Sequence, residues 1–177
     1  RQKPTKLKTH KLTKVHFGIL GKSLSHSFSK SYFTEKFTKL NLENHVFENH
    51  ELNDIKELIP KLNNRPNVRG LSVTIPFKEE IISYLDHSSP EVKAIGACNC
   101  VKISYSKDGS RILSGYNTDV IGFTKSLKKK LKSTDTKALI LGLGGASKAI
   151  QHSLDMLGIV YLKVGRNNKG DINYDEL

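Results

Sequence analysis

From residue 15 onward, short apolar runs and stripes of helical period alternate along this chain. Residues 15–20, 71–75, 98–105, 111–116, 138–141 and 159–164 are apolar or β-branched over strand-like lengths, and 45–48 reads as a short strand. Residues 29–40 carry Tyr32, Phe33, Phe37 and Leu40 at three- and four-residue spacings, which predicts a helix with one ring-bearing face. Further helices are predicted over 52–62, interrupted near its end by Pro60, and over 78–85, 119–132 and 146–157. Lys107-Asp108-Gly109-Ser110, between two strands, is a hairpin signal. Strands that alternate with helices predict α/β architecture. The polar stretch Ser133-Thr134-Asp135-Thr136 separates the last strand–helix–strand unit from what precedes it. The expected organisation is a first α/β domain over 15–118, then a linking helix and the opening of a second domain over 119–177. Residues 1–14 read as a basic, disordered tail.

Composition narrows the class. The chain has 177 residues, enough for one ordinary domain or two small ones. A mean hydropathy of -0.41 and the lack of any apolar run of about 18 residues exclude a transmembrane helix. Cys98 and Cys100 match neither a disulfide framework nor a zinc site. Two residues apart on a strand, they share one face, as buried thiols of a reducing, cytoplasmic compartment would. The seven histidines form no metal-ligand motif. The net charge is +12, and the first acid is Glu35. The opening residues lack the apolar core of a secretory signal, and residue 1, not being Met, is not expected to be the native start. Lys128-Lys129-Lys130-Leu131-Lys132 closes a predicted helix, where cations suit the dipole. No aromatic residues are interleaved there, so the surplus charge reads as steering small polyanions rather than as a nucleic-acid groove.

The strand at 138–141 runs straight into Gly142, Gly144 and Gly145, and a helical pattern begins at Ala146. Strand, glycine turn and helix in that order form a dinucleotide-binding unit: the glycines admit a pyrophosphate, and the helix N-terminus supplies unpaired N–H groups and a positive dipole end. The third motif position holds Ser147 rather than Gly or Ala. The next strand ends at Gly165-Arg166-Asn167, where an NAD site has an acid for the ribose hydroxyl. Arg166 stands there instead, with Lys169 close by and Asp171 the nearest acid. A guanidinium grips a 2′-phosphate with two parallel bonds, which points to NADP over NAD; a solvated loop cation is the plainer alternative.

Upstream, hydroxyls, amides and one lysine cluster in short segments. Ser23-Leu24-Ser25-His26-Ser27-Phe28-Ser29 lies between a strand and a helix, as a hydroxyl-rich ligand loop or as a helix N-cap. Period two puts Ser72 and Thr74 on one strand face, Pro76 ends that strand, and Lys78 opens the next helix. There it would meet the positive end of a dipole, which disfavours the ammonium and makes it a candidate proton donor or oxyanion stabiliser. The plainer alternative is a surface lysine paired with Glu79 or Glu80. Asn99 is expected to face away from the flanking cysteines, toward a ligand. Asp119, in Asn117-Thr118-Asp119, is a helix N-cap or an acceptor for a substrate hydroxyl.

Taken in order, these segments resemble the shikimate dehydrogenase family. The resemblance is carried by Gly21-Lys22-Ser23-Leu24-Ser25-His26-Ser27-Phe28-Ser29, Val73-Thr74-Ile75-Pro76-Phe77-Lys78-Glu79-Glu80, Gly96-Ala97-Cys98-Asn99, Asn117-Thr118-Asp119 and Gly142-Leu143-Gly144-Gly145-Ala146-Ser147, and it covers nearly all of residues 15–177. It implies an N-terminal α/β substrate-binding domain followed by an incomplete Rossmann-type NADP-binding domain. The implied activity is reversible, NADP-dependent reduction of 3-dehydroshikimate to shikimate on the route to chorismate and the aromatic amino acids. Lys78 and Asp119 would be the catalytic pair. Ser27 and Ser29 would hold the substrate carboxylate, and Thr74, Asn99 and Asp119 the ring hydroxyls. Gly142, Gly144, Gly145 and Ala146 would hold the pyrophosphate, and Arg166 and Asn167 the 2′-phosphate. No metal is needed, no membrane or nucleic-acid partner is expected, and a homodimer is an expected assembly. Lys30 replaces the family's usual proline, and Ser72 stands where Asn is common. Ser29 favours shikimate over quinate, so a quinate/shikimate enzyme is the nearest alternative. The chain ends soon after the second strand of the glycine unit, which implies a fragment of a longer enzyme or a binding remnant with impaired turnover.

Overall fold

The computed structural model describes residues 13–167 and 169–177, so the tail expected over 1–14 lies, up to residue 12, outside the described residues. The first sheet is built from β1 (Val15–Gly21), β2 (His45–Glu51), β3 (Val68–Val73), β4 (His87–Ser88), β5 (Cys100–Tyr105) and β6 (Arg111–Tyr116), in the order β2-β1-β3-β5-β6-β4. Alternation along the strands sends Leu20, Leu71, Val73, Val101, Ile103 and Leu113 to one face. There they bury against Leu58 and Leu62 of α2 (Leu58–Asn63), Ile81 and Val92. Each such side chain, fully buried, stabilises the fold by about 1.5–3 kcal/mol. The opposite face carries α1 (Ser29–Lys39), whose Phe33 stacks on Phe47 with centroids 4.5 Å apart.

Several elements differ from the sequence reading. Residues 52–62 are not one helix: Ile55–Glu57 is a 3₁₀ turn with an Asp54–Glu57 capping box, and α2 follows it. Pro60 falls in the first turn of α2, where its missing N–H costs nothing, so it starts the helix rather than interrupting it. The helix expected over 78–85 is a turn followed by a 3₁₀ helix, Glu80–Tyr84. An unexpected helix, α3 (Pro90–Ile95), has Ser89 as its N-cap, Pro90 in its first turn and Gly96 at φ 67° closing it.

β6 leads into α4 (Thr118–Lys128), with Lys125 and Lys128 in its last turn. The second sheet, β7 (Lys137–Leu141), β8 (Val160–Gly165) and β9 (Ile172–Asn173), is parallel throughout, and α5 (Gly145–Met156) crosses from β7 to β8. Ile140, Leu154 and Ile159 form its core, with Leu127 and Leu131 packed against them. Val120 of α4 and Ala149 of α5 share a small core with Ile95 and Ala97. Ser153, fully buried, donates to Ala149 O at 2.8 Å and to Val120 O at 3.4 Å, tying the two helices together. The other face of the second sheet is open: Leu139, Leu141, Val160 and Leu162 are all exposed.

The topology gathers the ligand segments on one rim. β1 and β3 run parallel with Leu20 opposite Val73, while β5 runs antiparallel to both β3 and β6, with Cys100 opposite Ser72 and Tyr116. The loops after β1, β3 and β6 and the residues before β5 therefore emerge from the same edge of the sheet, the carboxyl edge of its parallel strands, where ligands bind in open α/β sheets.

Candidate functional site

On this rim Lys78 Nζ donates to Asp119 Oδ2 at 2.6 Å. The lysine side chain is 14% exposed and the carboxylate 37%, so the pair is half-withdrawn from water and opens on the carboxylate side. Lys78 is not at a helix N-terminus; the expected dipole is replaced by this carboxylate. Glu79 pairs instead with Lys148 Nζ at 2.8 Å, so the alternative pairing of Lys78 with its neighbours fails. The Lys78 carbonyl accepts from Cys98 N at 2.7 Å, which fixes the loop after β3 to the approach to β5.

Asp119 is not the N-cap of α4. Asn117 holds that position, accepting from Asp119 N at 3.1 Å and Val120 N at 3.4 Å, and its own amide donates to Ala97 O at 2.9 Å. Asp119 thus sits in the first helical turn, where a carboxylate suits the dipole. Its second oxygen accepts from Asn99 Nδ2 at 2.6 Å. Asn99 also bridges Thr118, donating to its hydroxyl at 2.9 Å and accepting from its N–H at 2.8 Å. Asn99 does face away from Cys98, whose thiol lies in the core, while Cys100 is only half-buried. Burial pushes both thiols up, which makes them poor nucleophiles.

Thr74 lies just beyond β3, not within it, and its hydroxyl makes no hydrogen bond among the described residues. Ser27 stands in the loop after β1 and Ser29 at the first position of α1; Ser29 N donates weakly to Ser27 Oγ at 3.4 Å. The N-cap position of α1 is held by Phe28 without a side-chain bond, so the plain serine-cap reading fails. Neither serine hydroxyl bonds to the Lys78 cluster. Asn117 and Thr118 were not singled out as site residues by their sequence. Asn117 carried a usable signal, an Asn immediately before a predicted helix.

The glycine turn faces the same cluster. Gly142 has φ 99°, which suits glycine, and Gly144 is the N-cap of α5 with no side-chain capping bond. No acid occupies the first turn of α5; Ser147 N donates to Gly144 O at 2.9 Å, which leaves the N–H groups of Gly145 and Ala146 without an intrahelical acceptor. That donor set fits an anionic pyrophosphate. Ser147 is buried and donates to Gly144 O at 2.7 Å, bracing the turn rather than facing a ligand. Arg166 and Asn167 are exposed and line a cavity of about 530 Å³ with Asn173, Tyr174 and Asp175. The carboxylate of Asp171 is engaged by Lys163, by its N–H at 2.7 Å and its ammonium at 3.6 Å, while Arg166 brings an exposed positive charge to the cavity. These residues fit NADP. Among the described residues no His, Cys, Asp and Glu are grouped to hold a metal ion, and no helix is long and apolar enough to cross a membrane.

Fold and site together define a two-sheet α/β protein with a lysine–aspartate pair beside a dinucleotide-type glycine turn. A profile of the shikimate dehydrogenase substrate-binding domain matches residues 19–101. Shikimate dehydrogenase (NADP(+)) of Staphylococcus epidermidis is 42% identical over 146 residues, covering 81% of this chain and 51% of that protein. The Methanosphaera stadtmanae protein of the same name is 37% identical over 153 residues, covering 86% and 52%. Among solved structures, shikimate dehydrogenase 1 of Peptoclostridium difficile superposes with a TM-score of 0.77 at 35% identity, covering 92% of this chain and 61% of that one. Shikimate 5-dehydrogenase of Thermus thermophilus, in complex with NADP(H) and shikimate, superposes with a TM-score of 0.73 at 32% identity, covering 86% and 56%. The chain belongs to the shikimate dehydrogenase family. It spans about half the length of the curated relatives it matches.

Proposed function

We propose that this protein carries out the NADP-dependent, reversible reduction of 3-dehydroshikimate to shikimate, with residues 15–118 as the shikimate-binding domain and 119–177 as a linking helix and the first part of the NADP-binding domain. The observation that carries this reading is the pairing of Lys78 with Asp119 at 2.6 Å beside the first turn of α5. When bound, NADPH supplies the hydride. Reduction builds negative charge on the carbonyl oxygen of the ring. The Lys78 ammonium stabilises that charge and gives the oxygen its proton, and in the reverse direction it takes the proton from the hydroxyl. Asp119 keeps the ammonium in place and accepts from the neighbouring ring hydroxyl, which orients the ring. Asn99 and the otherwise unbonded Thr74 hydroxyl complete the ring contacts, and Ser27 and Ser29 donate to the carboxylate. Gly142, Gly144, Gly145 and Ala146 hold the pyrophosphate; Arg166 and Asn167 hold the 2′-phosphate. The free thiols of Cys98 and Cys100 agree with a cytoplasmic protein, and a homodimer is the proposed assembly.

The test is oxidation of shikimate with NADP+, followed by absorbance of the reduced cofactor. Lys78→Ala should lower turnover by roughly 10²–10⁴-fold with an unchanged circular dichroism spectrum; near-normal turnover sinks the role given to Lys78. A second reading follows from the half-length match to the relatives. In that reading the chain binds shikimate without turning it over, and calorimetric binding with no change in absorbance would select it. A comparable rate on quinate would select the broader quinate/shikimate activity.

A further inference from the structure

Lys78 is held on two sides, and only one of them is the Asp119 carboxylate. On the other, a Cβ built on Gly145 would lie 3.3 Å from Lys78 Cβ and 3.5 Å from Lys78 Cδ, so the backbone at the start of α5 rests against the lysine stem. Gly142 and Gly144, in the same turn, have nothing within 4 Å of such an atom. One helical turn on from Gly145, Lys148 Nζ reaches Glu79 Oε2 at 2.8 Å. Residues three apart on a helix share a face, so Gly145 and Lys148 together cup the consecutive residues Lys78 and Glu79. One partner belongs to the rim of the first sheet and the other to the crossover helix of the second.

We infer that the first turn of α5 is the backstop that positions Lys78, so that an anion seated on that turn and a ring oxygen seated on the Lys78–Asp119 pair bind cooperatively. Gly145 and Lys148 act as positioning residues in this device. A side chain at 145 would press on the lysine stem, which would have to shift by a few tenths of an ångström. The ion pair adds the directional element: with its charge matched by Glu79, Lys148 holds the loop after β3 against the helix. A ligand that immobilises the turn thereby presets the lysine, and the second ligand meets a site already in its binding geometry. By linkage the effect is reciprocal. The inference rests on the shikimate reading given above.

Calorimetric titration of the full 177-residue chain tests it, with shikimate alone, NADP+ alone, and shikimate at saturating NADP+. NADP+ should tighten shikimate binding about 5-fold or more. Lys148→Met and Glu79→Gln should each bring that factor below about 2-fold while leaving shikimate affinity without NADP+ within about 2-fold of the parent. Lys148→Arg, which keeps the ion pair, should keep the factor. A merely structural role would weaken both affinities and leave their ratio unchanged. Either charge-removing variant suffices, so misfolding of one leaves the other decisive. A factor near one in the parent chain overturns the inference alone, as does an undiminished factor in a folded charge-removing variant, or shikimate binding with no NADP+ binding. Absence of any shikimate binding overturns both the inference and the reading beneath it.

Discussion

His50 is 3% exposed at the end of the strand pair β1–β2, and its Nε2 has no hydrogen-bond partner. Burial, reinforced by the Lys61 charge, pushes its imidazole down to about 4 from the usual 6.5. The folded protein therefore keeps the ring neutral at pH values where the unfolded chain protonates it. Between those two values the unfolded state binds more protons, so stability rises with pH through that window. The contribution is fully present above pH 6.5 and is lost as pH falls toward 4, on the order of 3 kcal/mol in all. Urea midpoints measured at pH 7.5, 5.5 and 4 should fall in that order, and His50→Gln should flatten the upper part of the slope. An equal slope in the variant would assign the acid sensitivity elsewhere. Glu48 contributes lower down. Although burial opposes it, the hydrogen bond from His16 and the Arg65 charge hold that carboxyl below its usual value, and the stability it adds is lost as those partners stop facing an anion.

At the scale of elements, α3 is the instructive case. Only Val92 and Ile95 of its six residues are buried, too few to make a visible period. Its boundaries were nonetheless written in the chain, as Ser89 before Pro90 and Gly96 after the last turn. Ser89→Ala should cost about 1 kcal/mol by removing the acceptor of Val92 N–H. Gly96→Ala, at φ 67° with open space around it, should cost about 1–2 kcal/mol through backbone strain alone. Thermal denaturation distinguishes the two changes from the parent and from each other. The longer strands and the glycine turn were legible because period and punctuation are local signals. The segment 78–85 misled because Ile81, Ile82 and Leu85 mimic a helical stripe, whereas the chain closes i→i+3 bonds there, Ile82 N to Glu79 O and Leu85 N to Ile82 O. Lys78 and Asp119 are 41 residues apart, and no period within either segment announces their bond. Their pairing became an expectation only through the family resemblance, and it requires β3, β5 and β6 to lie side by side. The contacts of Lys78 and Glu79 with α5 had no signature in the sequence at all.

The whole molecule presents two unlike surfaces. Basic residues gather at the end of α4, where Lys125 and Lys128 complement the helix dipole; the helix stops at Lys128, four residues short of the sequence reading, so Lys129, Lys130 and Lys132 of the predicted cluster lie beyond it. The second sheet offers an apolar face of Leu139, Leu141, Val160 and Leu162, with Leu139 and Leu162 adjacent in register. A contiguous apolar patch on two strands promotes association. The 177-residue chain should self-associate over micromolar concentrations, and the double substitution Leu139→Lys, Leu162→Lys should shift it toward monomer in sedimentation velocity. An unchanged distribution would place any association on another surface. The rim of the first sheet has a different consequence. Every side chain proposed to meet the ring projects from a loop or the first residues of a helix at one edge, while the side chains that hold the sheet together point into its faces. Edge positions can thus be exchanged, and the set of hydroxyls the proposed site would accept altered, without disturbing the side chains that hold the scaffold together.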